Sequence, residues 1–480
     1  MDHSLARSVA WRAVANWGSQ ILSWGSLFAV VRLLNPSDFG IAAMAVVFIP
    51  YLRNLCELGI PTIVMTFRDM TDDQLAQLNT VGLSFALVCF GIGVTLSHLL
   101  ALFFRNPKLA PVAIVACLAL IPQGFRMVSE GLLNKDMRFG LLSWFEAIRS
   151  IVAASSTLAL AYFGYGYWAL ILGNLIAATV RSVLISIARP HGYAIPRLGA
   201  IRKELTFGWH VLVSFLAWST YERLDNVTAG RTLGQAPLGL YAMAWNLANS
   251  PLEKVTTLVT TVVPTYFAAV QHDTAALHRY IRTLTESVAL ATFPLTIGLS
   301  LVARELIPIV LGNKWQGTIF PLEVLALYGA LRSIVALLPK LLTSIGNARF
   351  VMWNDLRGLI ILPTAFFIGS HWGIGGIAFG WVLGYPFVAV PLFWKTFKAI
   401  GMTTGEYLRA LRPALDATLV MSISVLLLKW KAPLGQSLVL RLVAEIATGG
   451  VAYFATLWLL HRECLTALPR MLRSVRRKAL

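Results

Sequence analysis

Charge is what this sequence has least of. Asp, Glu, Lys and Arg together make up 13% of its 480 residues, about half the ~25% carried by soluble domains, which excludes an ordinary water-soluble fold. Acidic residues are the scarcer sign, 22 against 40 Lys and Arg, for a formal net charge of +18. No basic tract interleaved with aromatics stands outside the apolar runs, so that excess does not point to a nucleic-acid partner. Cysteine is sparse too. Of Cys56, Cys89, Cys117 and Cys464 the first three lie in apolar runs and none forms a CxxC pair, so neither a disulfide nor a metal site is expected. The eight histidines are scattered without ligand or nucleophile spacing. No Gly-rich phosphate loop followed by Lys-Ser/Thr is present, which excludes ATP hydrolysis by this chain. Neither a catalytic residue nor a cofactor is expected.

What the chain has in abundance is apolar length. Hydrophobic residues make up 57% and the mean hydropathy is +0.70. Runs long enough to cross about 30 Å of hydrocarbon as helices recur from end to end. The predicted spans are 10–34, 39–60, 80–104, 110–133, 139–163 and 167–187. A basic loop follows, then 207–228, 238–267, 284–301, 320–345, 350–372 and 376–396, and a last pair, 411–428 and 438–460. The first run has no small-residue cleavage site and reads as an uncleaved helix.

Lys and Arg distribute unevenly between alternate loops. Arg7, Arg12, Arg138, Arg189, Arg202, Lys203, Arg349, Lys395, Lys398 and the tail from Arg462 fall on one side. The other receives far fewer, among them Arg32, Arg105, Lys108, Arg231 and Lys314. By the positive-inside rule both termini are cytoplasmic and the helix count is even. The chain also repeats itself. Arg32, Leu34, Gly40, Ala43, Met44 and Ala45 recur at one constant offset as Arg231, Leu233, Gly239, Ala242, Met243 and Ala244. Trp144, Glu146, Gly164, Gly166 and Ala169 recur at another as Trp353, Asp355, Gly373, Gly375 and Ala378. The expected fold class is therefore an all-α integral membrane protein of about fourteen transmembrane helices, with two parallel six-helix lobes around a central cavity plus two extra C-terminal helices. The expected boundaries are 1–190 for the N-lobe, 191–206 for a cytoplasmic linker, 207–398 for the C-lobe and 399–480 for the peripheral helix pair and basic tail.

Charges within spans are costly and mark a protein interior or a water-filled path. Arg53 and Glu57 stand i,i+4, as do Arg126 and Glu130, while Glu146 and Arg149 stand i,i+3, so each pair shares a helix face. One use of such pairs is to neutralise themselves and hold helices together. Arg12, Lys254 and Arg332, however, have no acidic residue at helical spacing, and Arg223 and Arg357 lie within other spans. Arg12, Arg53, Arg126, Arg149, Arg223, Lys254 and Arg332 are accordingly the candidate residues of a cationic cavity, since arginine grips phosphate oxygens with paired hydrogen bonds. Glu222 and Asp225, with Asn226 beside them, read either as an ion-coupling site or, as the simpler alternative, as partners of Arg231. Prolines within the spans, among them Pro50, Pro122, Pro294 and Pro363, provide kinks.

Several of these stretches carry a family resemblance. Arg32-Leu33-Leu34-Asn35-Pro36-Ser37-Asp38-Phe39-Gly40, Leu58-Gly59, the run from Phe163 to Leu170, Leu224-Asp225-Asn226 with Gly230-Arg231, Leu238 to Tyr241 and Gly312-Asn313-Lys314-Trp315 resemble the polysaccharide transporter (Wzx-type flippase) branch of the multidrug/oligosaccharidyl-lipid/polysaccharide (MOP) exporter superfamily. The resemblance covers about Ser8 to Lys395. It implies a bacterial inner-membrane carrier, not an enzyme, that flips undecaprenyl-diphosphate-linked oligosaccharide units to the outer leaflet for exopolysaccharide, capsule or O-antigen assembly. The implied partners are that lipid-linked substrate and membrane lipid, with a polysaccharide polymerase or glycosyltransferase left open. The rival readings are a lipid II flippase and a drug/cation antiporter of the same superfamily. Because the matched motifs sit mostly at helix ends, the cavity residues rest on the charge pattern alone.

Overall fold

The computed structural model of the protein describes residues 24–57, 59–67, 70–197, 223–269, 273–431 and 437–463. Arg12 and Glu222, and the spans 10–34 and 207–228 except for their last residues, lie outside them. Among the described residues there are helices and turns and no strands. Ten helical stretches among the described residues are long and apolar enough to cross a membrane. Two further helices, Phe139–Tyr162 and Gln235–Ala269, have 24 and 35 residues and so the length to span. Every predicted span within the described residues is helical, and the chain is a multi-pass membrane protein.

The chain divides into two compact units, Met1–Gly239 and Leu240–Leu480. The first contains α1 (Trp24–Leu33), α2 (Pro36–Ala45), α3 (Ile49–Glu57), α4 (Ile60–Thr66), α5 (Asp72–Phe103), α6 (Leu109–Cys117), α7 (Leu120–Lys135), α8 (Phe139–Tyr162), α9 (Tyr167–Ala188), α10 (Leu224–Leu233) and the start of α11 (Gln235–Ala269). Two of its spans are interrupted. The stretch predicted as one helix from Phe39 to Ile60 is three, α2 to α4, with Gly59 in the left-handed region at φ 67°, which glycine adopts without a Cβ penalty. Pro50 and Pro122 fall in the first turns of α3 and α7, where a missing N–H costs nothing. They therefore start helices after a break.

The motifs behind the resemblance meet in space. Pro36 opens α2, and the Asp38 carboxylate accepts the Asn35 N–H at 2.9 Å. Leu34 and Phe39 from this turn pack in one small core with Val30, Ala161, Ala169 and Leu170, the last two from the Phe163–Leu170 motif. A second core joins α3 to α7 through Leu52, Ile60, Leu78, Cys89, Met127 and Leu132.

The repeat produces one very close helix crossing. A Cβ on Gly40 would fall on the backbone carbonyl of Gln235, and one on Gly239 on that of Pro36. Pro36 and Gln235 are related by the same offset as Gly40 and Gly239, so each copy of the motif supplies the same glycine and carbonyl to a self-complementary contact. Small residues permit this approach in a membrane, where packing rather than water exclusion drives association.

The second unit holds the rest of α11, α12 (Thr274–Val310), a short 3₁₀ turn (Asn313–Thr318), α13 (Ile319–Val335), α14 (Leu337–Ser344), α15 (Ala348–Ser370), α16 (Gly373–Ile400), α17 (Thr404–Lys431) and α18 (Leu438–Leu460). Trp315 of the Gly312–Trp315 motif is fully buried in the 3₁₀ turn. The last two helices pack on α12. Tyr453 donates to the Leu290 carbonyl at 2.7 Å, and Lys429 bridges Glu305 at 2.7 Å and Glu445 at 3.3 Å.

After α9 the segment to Arg197 lies along α5. Gln77 Oε1 accepts the Arg197 N–H at 2.9 Å and Thr80 Oγ1 that of Ala194 at 3.2 Å. His191 is half-buried with its Nε2 unpartnered. Burial first, then the charge of Arg189, lower its pKa, so the docked segment favours neutral imidazole.

Two outcomes follow from these contacts. Valine at Gly40 or Gly239 forces the crossing open, at a cost of about 1–3 kcal/mol or more, and lowers membrane protein level and thermal stability. Gly91→Ala, where a Cβ meets nothing within 4 Å, leaves both unchanged. Because the His191 pKa is depressed on docking, protonation favours release. Hydrogen-exchange protection of the Ala194 and Arg197 amides falls as pH drops below the free histidine value of about 6.5, and in His191→Asn it does not.

Candidate functional site

The first unit gathers ionised residues from four helices. Arg126 pairs with Glu130 one turn along α7, and Arg149 Nη2 lies 2.5 Å from Glu146 one turn back on α8. The two pairs are joined by Arg181 of α9, whose Nη2 donates to Glu130 Oε1 at 2.7 Å and whose Nε lies 3.0 Å from Glu146 Oε2. The result is a chain Arg126–Glu130–Arg181–Glu146–Arg149 in which every carboxylate serves two guanidinium groups. Its root is buried and its far end is open: Glu130 and Arg181 side chains are each 17% exposed and Glu146 is 46% exposed.

Beside the root, Gln123 of α7 donates to Glu57 Oε1 at 2.6 Å. Arg53, one turn before Glu57 on α3, is exposed and makes no ion pair among the described residues. The cluster thus sets Arg53, Arg126, Arg149 and Arg181 against Glu57, Glu130 and Glu146, leaving one net positive charge. Such an arrangement suits an anion. Displacing a glutamate from a shared arginine frees donors without breaking the whole chain, and Arg53 and Arg149 are the accessible donors at its margins.

Of the other predicted site residues, Arg332 sits in the second unit on α13. Its Nη1 donates to Asn249 Oδ1 at 2.7 Å and its guanidinium lies 5.7 Å from the Trp245 ring centroid. Trp245 continues into a buried aromatic stack with Tyr328 and Trp381. The Lys254 side chain lies outside the described residues. Arg223 is half-buried in the turn before α10. Asp225 is buried and accepts from the Asn226 backbone and side-chain nitrogens at 2.6 and 2.9 Å, while Arg231 lies over the Phe103 ring at 5.5 Å. In α15, Asp355 is half-buried and Arg357 exposed.

Sequence reading brought out the pairs within single helices and missed Arg181, Gln123 and Asn249. Arg181 had one usable signal: it is the lone charge in its span, with no partner three or four residues away, and such a residue needs one from another helix.

With the geometry in place, comparison with known proteins identifies the family. The polysaccharide biosynthesis protein family matches residues 29–320. The chain is 25% identical over 410 residues to the lipopolysaccharide biosynthesis protein WzxC of Escherichia coli K12, covering 84% of this chain and 82% of that one. It is 23% identical over 483 residues to the succinoglycan biosynthesis transport protein ExoT of Rhizobium meliloti, covering 99% and 97%. Among solved structures, the inward closed conformation of the lipid II flippase MurJ superposes with a TM-score of 0.75 at 14% identity, over 95% of this chain and 100% of that one. That likeness shows a shared fold, the MOP type expected from the motifs. The chain belongs to the polysaccharide biosynthesis protein family.

Proposed function

We propose that this protein is a flippase that moves undecaprenyl-diphosphate-linked oligosaccharide repeat units from the cytoplasmic to the outer leaflet of a bacterial inner membrane, by alternating access, for exopolysaccharide, capsule or O-antigen synthesis. It is a transporter and not an enzyme, with both termini cytoplasmic and its lobes at 1–190 and 207–398. The observation that carries this reading is the network on α3, α7, α8 and α9: an intramembrane cluster with a surplus of arginine and an exposed end. The names of WzxC and ExoT, a lipopolysaccharide and a succinoglycan protein, support a lipid-linked glycan as substrate.

In this mechanism the diphosphate engages Arg53 and Arg149 first and draws on Arg126 and Arg181 as their glutamates are displaced. Arginine grips phosphate oxygens with paired hydrogen bonds, so at Arg126, Arg149 and Arg181 loading exchanges a carboxylate partner for a phosphate one. Arg332, held by Asn249 and Trp245, supplies a cation in the second unit, and Arg12, Arg223 and Lys254 are the remaining proposed cationic residues. Glu222 and Asp225 are read either as an ion-coupling pair or, more simply, as partners of Arg231. About two negative charges on the diphosphate give an inside-negative potential roughly 2.3 kcal/mol of outward bias per charge per 100 mV, so a counter-ion is not required.

The direct test is a deletion strain. Sugar-loaded polyprenyl diphosphate, assayed by leaflet with an impermeant lectin or glycosidase on spheroplasts, accumulates in the inner leaflet while ethidium efflux is unchanged. Normal outer-leaflet exposure with lost efflux would move the protein to drug transport.

Point variants separate binding from scaffolding. Arg53→Ala, which breaks no ion pair among the described residues, keeps normal protein level and lowers flipping about tenfold or more, the effect of losing ~1.4 kcal/mol of substrate contact. Arg181→Ala removes the link between the two pairs, leaving Glu130 with Arg126 and Glu146 with Arg149, and lowers both level and flipping. Intact export at normal protein levels in Arg53→Ala, Arg126→Ala and Arg332→Ala alike would sink the cationic-site reading.

A further inference from the structure

A separate cationic pocket lies in the second unit, at the end of the α15–α16 hairpin opposite the Gly373 turn. It has a volume of about 340 Å³ and is lined by Thr274, Ile345, Asn347, Lys395 and Lys398 among others. No carboxylate lines it. The nearest sequence acid, Asp273, is engaged as the cap of α12, its Oδ1 accepting the Ala276 N–H at 2.9 Å. The two ammonium groups are held by aromatic rings: Lys395 Nζ is 5.7 Å from the Phe350 centroid and Lys398 Nζ is 5.4 Å from that of Trp394. Such contacts suit a boundary where one end of a side chain is apolar and the other wet.

What distinguishes the pocket from a solvated pair of lysines is the surface leading away from it. Trp394, Val390, Phe387 and Leu383 recur every three or four residues on α16 and are each more than half exposed, so they form one apolar stripe running from Lys398. The stripe is about 22 Å long at 1.5 Å per residue, enough for a fatty chain crossing half of a ~30 Å hydrocarbon layer. At its far end Leu383 and Phe387 enter an apolar groove of about 910 Å³ between α15 and α16, where Gly376, Gly380 and Gly384 let α16 pack closely on α15.

We infer that Lys395 and Lys398 bind the phosphate of an anionic phospholipid whose acyl chain lies along this stripe of α16. A soluble phosphate would use the lysines and leave the stripe without a role. A zwitterionic head group brings its own cation to a pocket that already has two and no carboxylate.

The test is lipid binding to the full-length protein, delipidated in detergent and titrated with phosphatidylglycerol or with phosphatidylcholine of identical chains, followed by native mass spectrometry. The expected result is at least tenfold preference for phosphatidylglycerol in the wild type. The K395Q/K398Q double variant loses that preference, K395R/K398R retains it, and W394A weakens both lipids together. Equal melting temperatures confirm that the variants are folded. Preference persisting in K395Q/K398Q would overturn the assignment. So would displacement of phosphatidylglycerol by millimolar inorganic phosphate, which would mark a site for a free anion.

Discussion

A guanidinium placed in hydrocarbon must bring its counter-charge with it, and the first unit is arranged around that requirement. Arg181 stands alone on α9, so Glu130 and Glu146 must come from α7 and α8 at the right depth to meet it. The three helices are thereby fixed in register by charge as well as by packing. The solution is incomplete by one charge. Glu130 and Glu146 are each divided between two arginines, and Arg53 is left at the margin, so the cluster is stable when empty and still attractive to an anion. A fully neutral cluster would have been the better scaffold and the poorer binding site.

Steric closeness is the second constraint, and here the repeat matters more than either copy alone. Gly40 and Gly239 are useful only together, because each accommodates the backbone that precedes the other by one helical turn. A side chain in either copy would open the crossing whatever the other copy carried. This explains why the best-matched segment of the internal duplication falls at this place, where both copies face the same geometric demand.

Helix positions were legible in the sequence because lipid imposes a single rule, apolar length, that needs no tertiary information. The pairs Arg126–Glu130 and Glu146–Arg149 were legible for a related reason, since helical spacing alone brings them together. The link between them was not, because Arg181 lies 51 residues from Glu130 and on a different helix. The same limit applies to Arg53 and Glu57. Their spacing permits a pair, but Gln123 takes the Glu57 carboxylate from another helix. Interruptions such as the one at Gly59 were hidden too, since the apolar run continues through them and only the backbone records the break.

The second unit contains a cluster that serves as an internal comparison. Glu305, Lys429, Glu445 and Arg441 come from α12, α17 and α18, and their charges cancel. Both glutamates are buried, with side chains only 6% and 2% exposed, whereas Glu146 in the first unit is 46% exposed. A neutral cluster with both carboxylates buried has less attraction for an anion than one with an arginine in surplus. It therefore acts as a clamp that holds the final helix pair against α12, and the same residue types carry two different roles. What separates them is not the strength of any one ion pair but whether the charges cancel and whether solvent reaches them. By both measures the network on α3, α7, α8 and α9 is the one built to exchange partners.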